Sequence, residues 1–335
     1  MKRFLFLLSV ISALTALCRP VPVSAEPDPK FHIFLCIGQS NMVGEAPVTP
    51  EYTKNVPARF KVMSPVDCDI HPKNRWSVAV PPLCRCNTKL GLVDFFGRTM
   101  LKYLPETDSV GVIVVAVEGT KIDLFHPSKY KAYIDYVKTD NSVAYQRDQI
   151  NAYHPYHPLQ ALIETAKLAQ KDGIIRGILL HQGETDAADQ GYTWRKNVKE
   201  VYENILKQLN LSADSVPLLV GEVVRGDEFR KGQCVRANTT IAKLPSVIPT
   251  SHVISSEDCS CQDDYLHFDA AGYALLGRRY AETYLTDCLG TDITGIRSTF
   301  VEEPSASSIY DGNGYRIQTL QHGINIINGK KYWVE

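Results

Sequence analysis

Phe31-His-Ile-Phe-Leu-Cys-Ile-Gly-Gln-Ser-Asn-Met-Val-Gly44 decides how the rest of the chain is read. A mostly apolar run, with β-branched Ile33 and Ile37 in it, leads into Gly38-Gln39-Ser40-Asn41. That is the pattern of a buried strand stopping at a tight turn. Gly38 allows a bend that a Cβ would obstruct, so Ser40 is expected at the strand's carboxyl end with its hydroxyl facing out. In open α/β sheets that edge is where ligands and chemistry collect. Taken alone, Gly-Gln-Ser-Asn is also an ordinary polar turn. The rest of the chain decides between the two.

Downstream, apolar strands alternate with amphipathic helices. Leu92, Phe95, Phe96, Thr99, Met100 and Tyr103 share one helical face, and Pro105 stops that helix. Gly111 to Val117 is a continuous apolar run, hence a central buried strand, and it ends in Glu118-Gly119-Thr120. A helix over 158–171 precedes a strand from Ile174 to Leu180, which runs into His181-Gln-Gly-Glu-Thr-Asp186. Trp194, Val198, Val201, Tyr202, Ile205 and Leu209 predict the clearest helix of the chain. Strands at 216–220 and 252–255 and a helix from about Asp269 complete the series. This order predicts a three-layer α/β/α sandwich on a mostly parallel sheet. Residues 45–90, rich in Pro and Cys, show no clean period and are read as long loops over the active face. Trp76 within them is either a ring for stacking on substrate or one packed beneath the loop. From about residue 286 the character changes. Gly312-Asn-Gly314, Gly323 and Asn328-Gly329 punctuate short alternating segments, which predicts a small β appendage.

Lys2 and Arg3, an apolar run from Phe4 to Leu17, and Val23-Ser24-Ala25 form an export signal over residues 1–25, too short for a membrane span. A secreted or periplasmic protein is expected, and bulky Leu17 before Cys18 argues against a lipid anchor. The domain plan is therefore a signal at 1–25, a catalytic domain at 26–285 and the appendage at 286–335. The 335 residues carry 36 basic and 37 acidic side chains, so no electrostatic footprint for nucleic acid is present. Cys36 reads as a buried thiol in the first strand. The other cysteines beyond the signal fall in loops or near element ends, where export favours disulfides over metal ligands. Cys84-x-Cys86 and Cys259-x-Cys261 lack the two-residue spacer of zinc knuckles, so neither metal nor cofactor is expected.

Two further clusters carry chemistry. In Asp264-x-x-His267, ahead of a helix, a carboxylate three residues before a histidine can hold its Nδ1–H and leave Nε2 to take a serine proton. A metal or calcium loop is the other reading, because Asp263, Asp264, His267 and Asp269 crowd together. His181-Gln182-Gly183-Glu184 is a dense polar cluster at a strand end, so it is either a structural network or a site. The Gln182 amide could point into an oxyanion hole, and Glu184 could accept from a histidine or orient Gln182.

Taken together, Gly38-Gln39-Ser40-Asn41-Met42, His181-Gln182-Gly183-Glu184 and Asp264-Tyr265-Leu266-His267-Phe268 resemble the carbohydrate esterases of family six and the related sialate O-acetylesterase domain, within the SGNH-hydrolase superfamily. Gly119-Thr120 fits that family's glycine-bearing loop. The resemblance spans residues 31 to about 285. It implies a flavodoxin-like fold and a metal-free serine esterase that removes acetyl groups from carbohydrate. Ser40 would be the nucleophile, His267 the base and then acid, and Asp264 the orienting carboxylate, with Glu184 the alternative acid. The Ser40 and Gly119 N–H groups and Gln182 would form the oxyanion hole. Gln39, Asn41, Thr120 and Trp76 are the candidate substrate contacts. The short chain favours acetylated xylan or a related plant polysaccharide over O-acetylated sialic acid. A non-catalytic carbohydrate-binding protein on the same scaffold is the rival from another class.

Overall fold

A computed structural model describes residues 26–293, 309–311, 316–317, 322–327 and 330–334. The expected export signal lies outside them. The strands are β1 (Asp28–Gly38), β2 (Phe60–Met63), β3 (Trp76–Val78), β4 (Ser109–Ala116), β5 (Gly173–His181), β6 (Leu218–Gly221) and β7 (Ser251–Ile254). They form one sheet in the order β3-β2-β4-β1-β5-β6-β7. Every neighbouring pair is parallel except β2 with the edge strand β3.

Period-two alternation along β1 sorts its side chains between the two faces. Ile33, Leu35 and Ile37 join a core built with Leu159 and Leu162 of helix Pro158–Ala169 and Val198, Val201 and Ile205 of helix Tyr192–Leu209. On the opposite face, the Phe34 ring lies 4.8 Å from Phe96 of helix Leu92–Tyr103. Helix Ala270–Thr283 packs on that helix closely enough that a Cβ on Gly277 would sit 2.3 Å from the Leu92 carbonyl oxygen. Helices therefore cover both faces, and the fold is the expected three-layer α/β/α sandwich on a mostly parallel sheet.

Register is what positions the site. Gly38 at the end of β1 pairs with Ala116 of β4 on one side and His181 of β5 on the other. The three segments that follow, at Gln39, Val117 and Gln182, thus leave the sheet level with one another. Gly38 is needed for closeness: a Cβ there would lie 2.1 Å from the His181 carbonyl oxygen.

Residues 45–90 differ from the expectation of long loops. They supply β2 and β3, whose lengths of four and three residues are too short to show a period. They also hold a Cys68–Cys86 disulfide. Cys36, Cys84, Cys234, Cys259 and Cys261, four of them expected in bridges, are thiols. Helices Tyr130–Thr139 and Ala144–Asn151 were likewise not foreseen. A second unit begins at Tyr284. Its described residues include a helical turn, Tyr284–Cys288, and a four-stranded antiparallel sheet of β8 (Ile309–Asp311), β9 (Arg316–Ile317), β10 (Gly323–Ile327) and β11 (Lys330–Val334) in the order β11-β10-β8-β9.

Candidate active site

Ser40 is the first residue of a one-turn helix, Ser40–Val43, that caps β1. Its Oγ lies 2.9 Å from His267 Nε2, and His267 Nδ1 lies 2.6 Å from Asp264 Oδ2. An ionised carboxylate can only accept, so the imidazole proton sits on Nδ1 and Nε2 is left to accept from the Ser40 hydroxyl. Such a line can withdraw a proton from serine as serine attacks a carbonyl carbon.

The loop that presents His267 is held from within and from outside. Asp264 Oδ1 accepts from the backbone N–H of Leu266 at 2.9 Å and of His267 at 3.0 Å. Tyr265 adopts a left-handed φ of 56°, which turns the chain back so that aspartate and histidine meet. Its carbonyl accepts from Gln233 N at 2.8 Å, and Gln233 Nε2 donates to the Asp264 carbonyl at 2.6 Å. Partial burial pulls the Asp264 carboxyl upward. The backbone donors of His267 and Leu266 and the imidazole outweigh it and hold the group below the usual carboxylate range.

Asn41, expected at the substrate, is instead a fully buried knot. Its Nδ2 donates to Glu184 Oε1 at 2.8 Å and to the Leu266 carbonyl at 3.0 Å. Its Oδ1 accepts from Phe268 N at 3.2 Å and from the Tyr273 hydroxyl at 2.8 Å. One amide thereby ties the serine turn to the β5 loop and to the histidine loop. Glu184 reaches the histidine loop through Asn41, and its second oxygen, Oε2, is buried without a hydrogen-bond partner among the described residues. Nearby His181 is fully buried, and burial lowers its pKa.

Gln182 also departs from expectation. Its Nε2 is surrounded by Gln39 Oε1 at 3.2 Å, the Thr120 carbonyl at 3.1 Å and Asp186 Oδ1 at 3.2 Å. Its Oε1 accepts from Trp194 Nε1 at 2.6 Å. The side chain is fully buried, so its amide braces three loops and has no donor to offer an oxyanion. Burial raises the Asp186 carboxyl to about 6, against the pull of the Ile122 N–H and Gln182. Thr120 is buried too, its hydroxyl donating to the Lys121 carbonyl, so it is no substrate contact. Trp76 is placed elsewhere. On edge strand β3 its ring packs 4.7 Å from Phe31 and its Nε1 donates to Asp172. Phe31 is the first residue of β1 paired with β4, so the ring sits toward the sheet's amino edge, opposite to Ser40.

A cavity of about 400 Å³ opens over Ser40 and His267, with Gln39, Gly119 and Glu184 also in its lining. Gly119 has φ +62°, and among the described residues neither its N–H nor that of Ser40 is used in a hydrogen bond. Two such donors facing one cavity can hold a developing oxyanion. Helix Ala144–Asn151 fixes the glycine from both sides. Gln149 Oε1 accepts the Glu118 N–H at 2.9 Å, and Gln146 Nε2 donates to the Gly119 carbonyl at 3.0 Å. Buried Arg85, next to the Cys68–Cys86 bridge, donates to Gln149 Oε1 at 2.9 Å and to the Ala116 carbonyl at the end of β4. Glu45, Glu118, Tyr145, Thr185, Gln233, Cys234 and Leu266 complete the lining. Sequence reasoning missed these as site residues. Glu118 beside Gly119 carried a usable signal, but Gln233 and Cys234 stand in a stretch with no period at all.

The line of Ser40, His267 and Asp264 thus lies beside a cavity at the carboxyl edge of a mostly parallel sheet. Residues 30–286 match the carbohydrate esterase family described as sialic acid-specific acetylesterase, and the chain belongs to that family of carboxylic ester hydrolases. It is 24% identical over 286 residues to a probable carbohydrate esterase of Arabidopsis thaliana, covering 79% of this chain and 95% of the relative. The X-ray structure of that Arabidopsis protein superposes with a TM-score of 0.57 at 19% identity, over 78% of this chain and all of the other. NanS gives a TM-score of 0.55 at 15% identity, over 78% and 98% of the two chains. XAC1771, a carbohydrate acetylesterase from Xanthomonas citri, gives 0.52 at 16% identity, over 88% of this chain and 61% of that one.

Proposed function

We propose that this chain is an exported serine esterase that removes O-acetyl groups from a neutral polysaccharide, acetylated xylan foremost. The observation that carries the reading is the unbroken line from Ser40 Oγ through His267 to Asp264 at the cavity floor. Ser40 attacks the acetyl carbonyl carbon while His267 Nε2 takes its proton. The Ser40 and Gly119 N–H groups hold the oxyanion. His267 then protonates the departing sugar oxygen, leaving acetyl-Ser40. A water enters, gives its proton to His267 and attacks the acyl carbon, and acetate leaves as the proton returns to Ser40. Asp264 keeps the imidazole in the required tautomer throughout.

Charge supports a neutral sugar. The lining contains Glu45, Glu118 and Glu184 and no lysine or arginine. Lys89 pairs with Glu45 from outside at 3.0 Å. Such a wall repels a carboxylate on the substrate and welcomes hydroxyl donors. The sialate reading is kept alive by the family's description. Acetate release separates the two. At equal ester concentration, acetylated xylan is expected to be hydrolysed at least about tenfold faster than O-acetylated sialic acid. Ser40→Ala should release none from either. The reverse preference assigns sialate. Glycan binding without hydrolysis of any acetyl ester by the unaltered protein assigns a binding protein.

A further inference from the structure

The segment from Gly226 to Lys231 is a closed turn whose tip is Phe229. Asp227 N donates to the Arg230 carbonyl at 2.9 Å, and Asp227 Oδ1 accepts from Phe229 N at 2.9 Å and Arg230 N at 2.8 Å. Gly226 has φ +90°, and a Cβ there would lie 2.1 Å from the Arg230 carbonyl oxygen, so the closed turn needs glycine at this position. Its base is fastened to the histidine loop. The Tyr265 hydroxyl donates to Asp227 Oδ2 at 2.8 Å, and the Arg230 guanidinium lies over the Tyr265 ring at 4.7 Å. Gln233, two residues beyond the turn, makes the two bonds to Asp264 and Tyr265 given above.

This built turn holds a phenyl ring in water. Phe229 is 87% exposed, more than any other large hydrophobic residue described. Single exposed apolar side chains are common and carry no message by themselves. What sets this one apart is its rigid mounting on the loop that carries His267 and Asp264. A phenyl ring fixed by its backbone offers a large flat contact at low entropic cost. The C–H face of a pyranose is the complementary surface. On the cavity side, Tyr145 presents a second half-exposed ring beside Gly119.

We propose that Phe229 is a stacking subsite for a sugar ring of a polymeric substrate, beyond the acetylated unit held at Ser40. The inference rests on the glycan esterase reading and adds that the enzyme recognises a chain of sugars. Binding energy at the tip would hold the polymer without touching the reacting atoms.

The test compares acetylated xylan with p-nitrophenyl acetate, which carries no sugar ring to stack. In Phe229→Ala the ratio of kcat/KM for the polymer to that for the small ester is expected to fall about 5–20-fold, through KM for the polymer. Phe229→Trp should restore the ratio. An unchanged ratio in Phe229→Ala overturns the proposal, as does an equal loss on both esters, which would make the ring a structural part of the histidine loop. A change of oligomeric state in Phe229→Ala would assign the tip to a contact between copies instead. Failure of the underlying reading looks different: the unaltered protein would cleave p-nitrophenyl acetate and release nothing from any glycan.

Discussion

Asp264→Ala is expected to lower kcat on the order of 10³–10⁴-fold while Glu184→Ala loses far less. The geometry separates the two carboxylates. Asp264 Oδ2 is 2.6 Å from His267 Nδ1, whereas Glu184 binds Asn41 and lies near His181 at 3.6 Å. Without Asp264 nothing fixes the imidazole tautomer, and the loop also loses the acceptor of two backbone N–H groups. The pH dependence follows with a definite sign. A carboxyl whose folded pKa is depressed contributes above its unfolded value and stops contributing as pH falls through the folded one. Asp264 is of this kind, so it stays ionised through mildly acidic conditions. Loss of activity on mild acidification therefore does not come from Asp264, and the mechanism needs the base unprotonated. The unaltered enzyme should rise from mildly acidic pH to a plateau near neutrality. If Glu184→Ala proved the more damaging in steady-state kinetics, the role of triad acid would pass to Glu184.

Asn41→Ala is expected to have the largest effect on stability of any substitution near the site. It strands Glu184 Oε1, the Leu266 carbonyl, the Phe268 N–H and the Tyr273 hydroxyl in a buried space. Each such group costs about 1–3 kcal/mol. Allowing for readmitted water, the total should be about 3–5 kcal/mol, seen as a drop of roughly 10 °C in Tm for a domain of this size. Activity should fall with it, because Asn41 is the tie between the Ser40 turn and the His267 loop. Asn41→Asp is the sharper variant. It keeps the shape and the acceptor but faces Glu184 with a second carboxylate where an amide donor stood. It should be at least as damaging as alanine in a thermal melt. Near-native melting of Asn41→Asp would show that the knot is not what joins the loops.

The parts of this site that sequence exposes are those set by local bonding. Ser40 follows from an apolar strand meeting glycine, and the Asp264–His267 pair needs only a three-residue turn. Gln182 and Asn41 belong to another kind. Their residue types mark buried hydrogen bonding, but which acceptors surround each amide depends on loops about 140 and 225 residues away in the chain. Gln182 therefore reads as a donor to substrate when it is a brace, and Asn41 as a contact when it is a tie. Trp76 misleads for a related reason: its neighbour Phe31 is revealed only by sheet register. The Gly226–Lys231 turn leaves no periodic trace, since its order comes from Asp227 and from Tyr265, a residue nearly 40 positions on. Of the six parallel strands, β1, β4, β5 and β6 were legible because buried parallel strands are continuous apolar runs, and β7 only more weakly. Short β2 and β3 were not.

Covalent labelling by a serine-directed organophosphonate, followed by peptide mapping, tests the central claim most directly. The account predicts a single adduct on Ser40, formed in step with loss of acetyl esterase activity and absent from Ser40→Ala. An adduct on another serine that tracks inactivation, or esterase activity that survives in Ser40→Ala, would contradict it.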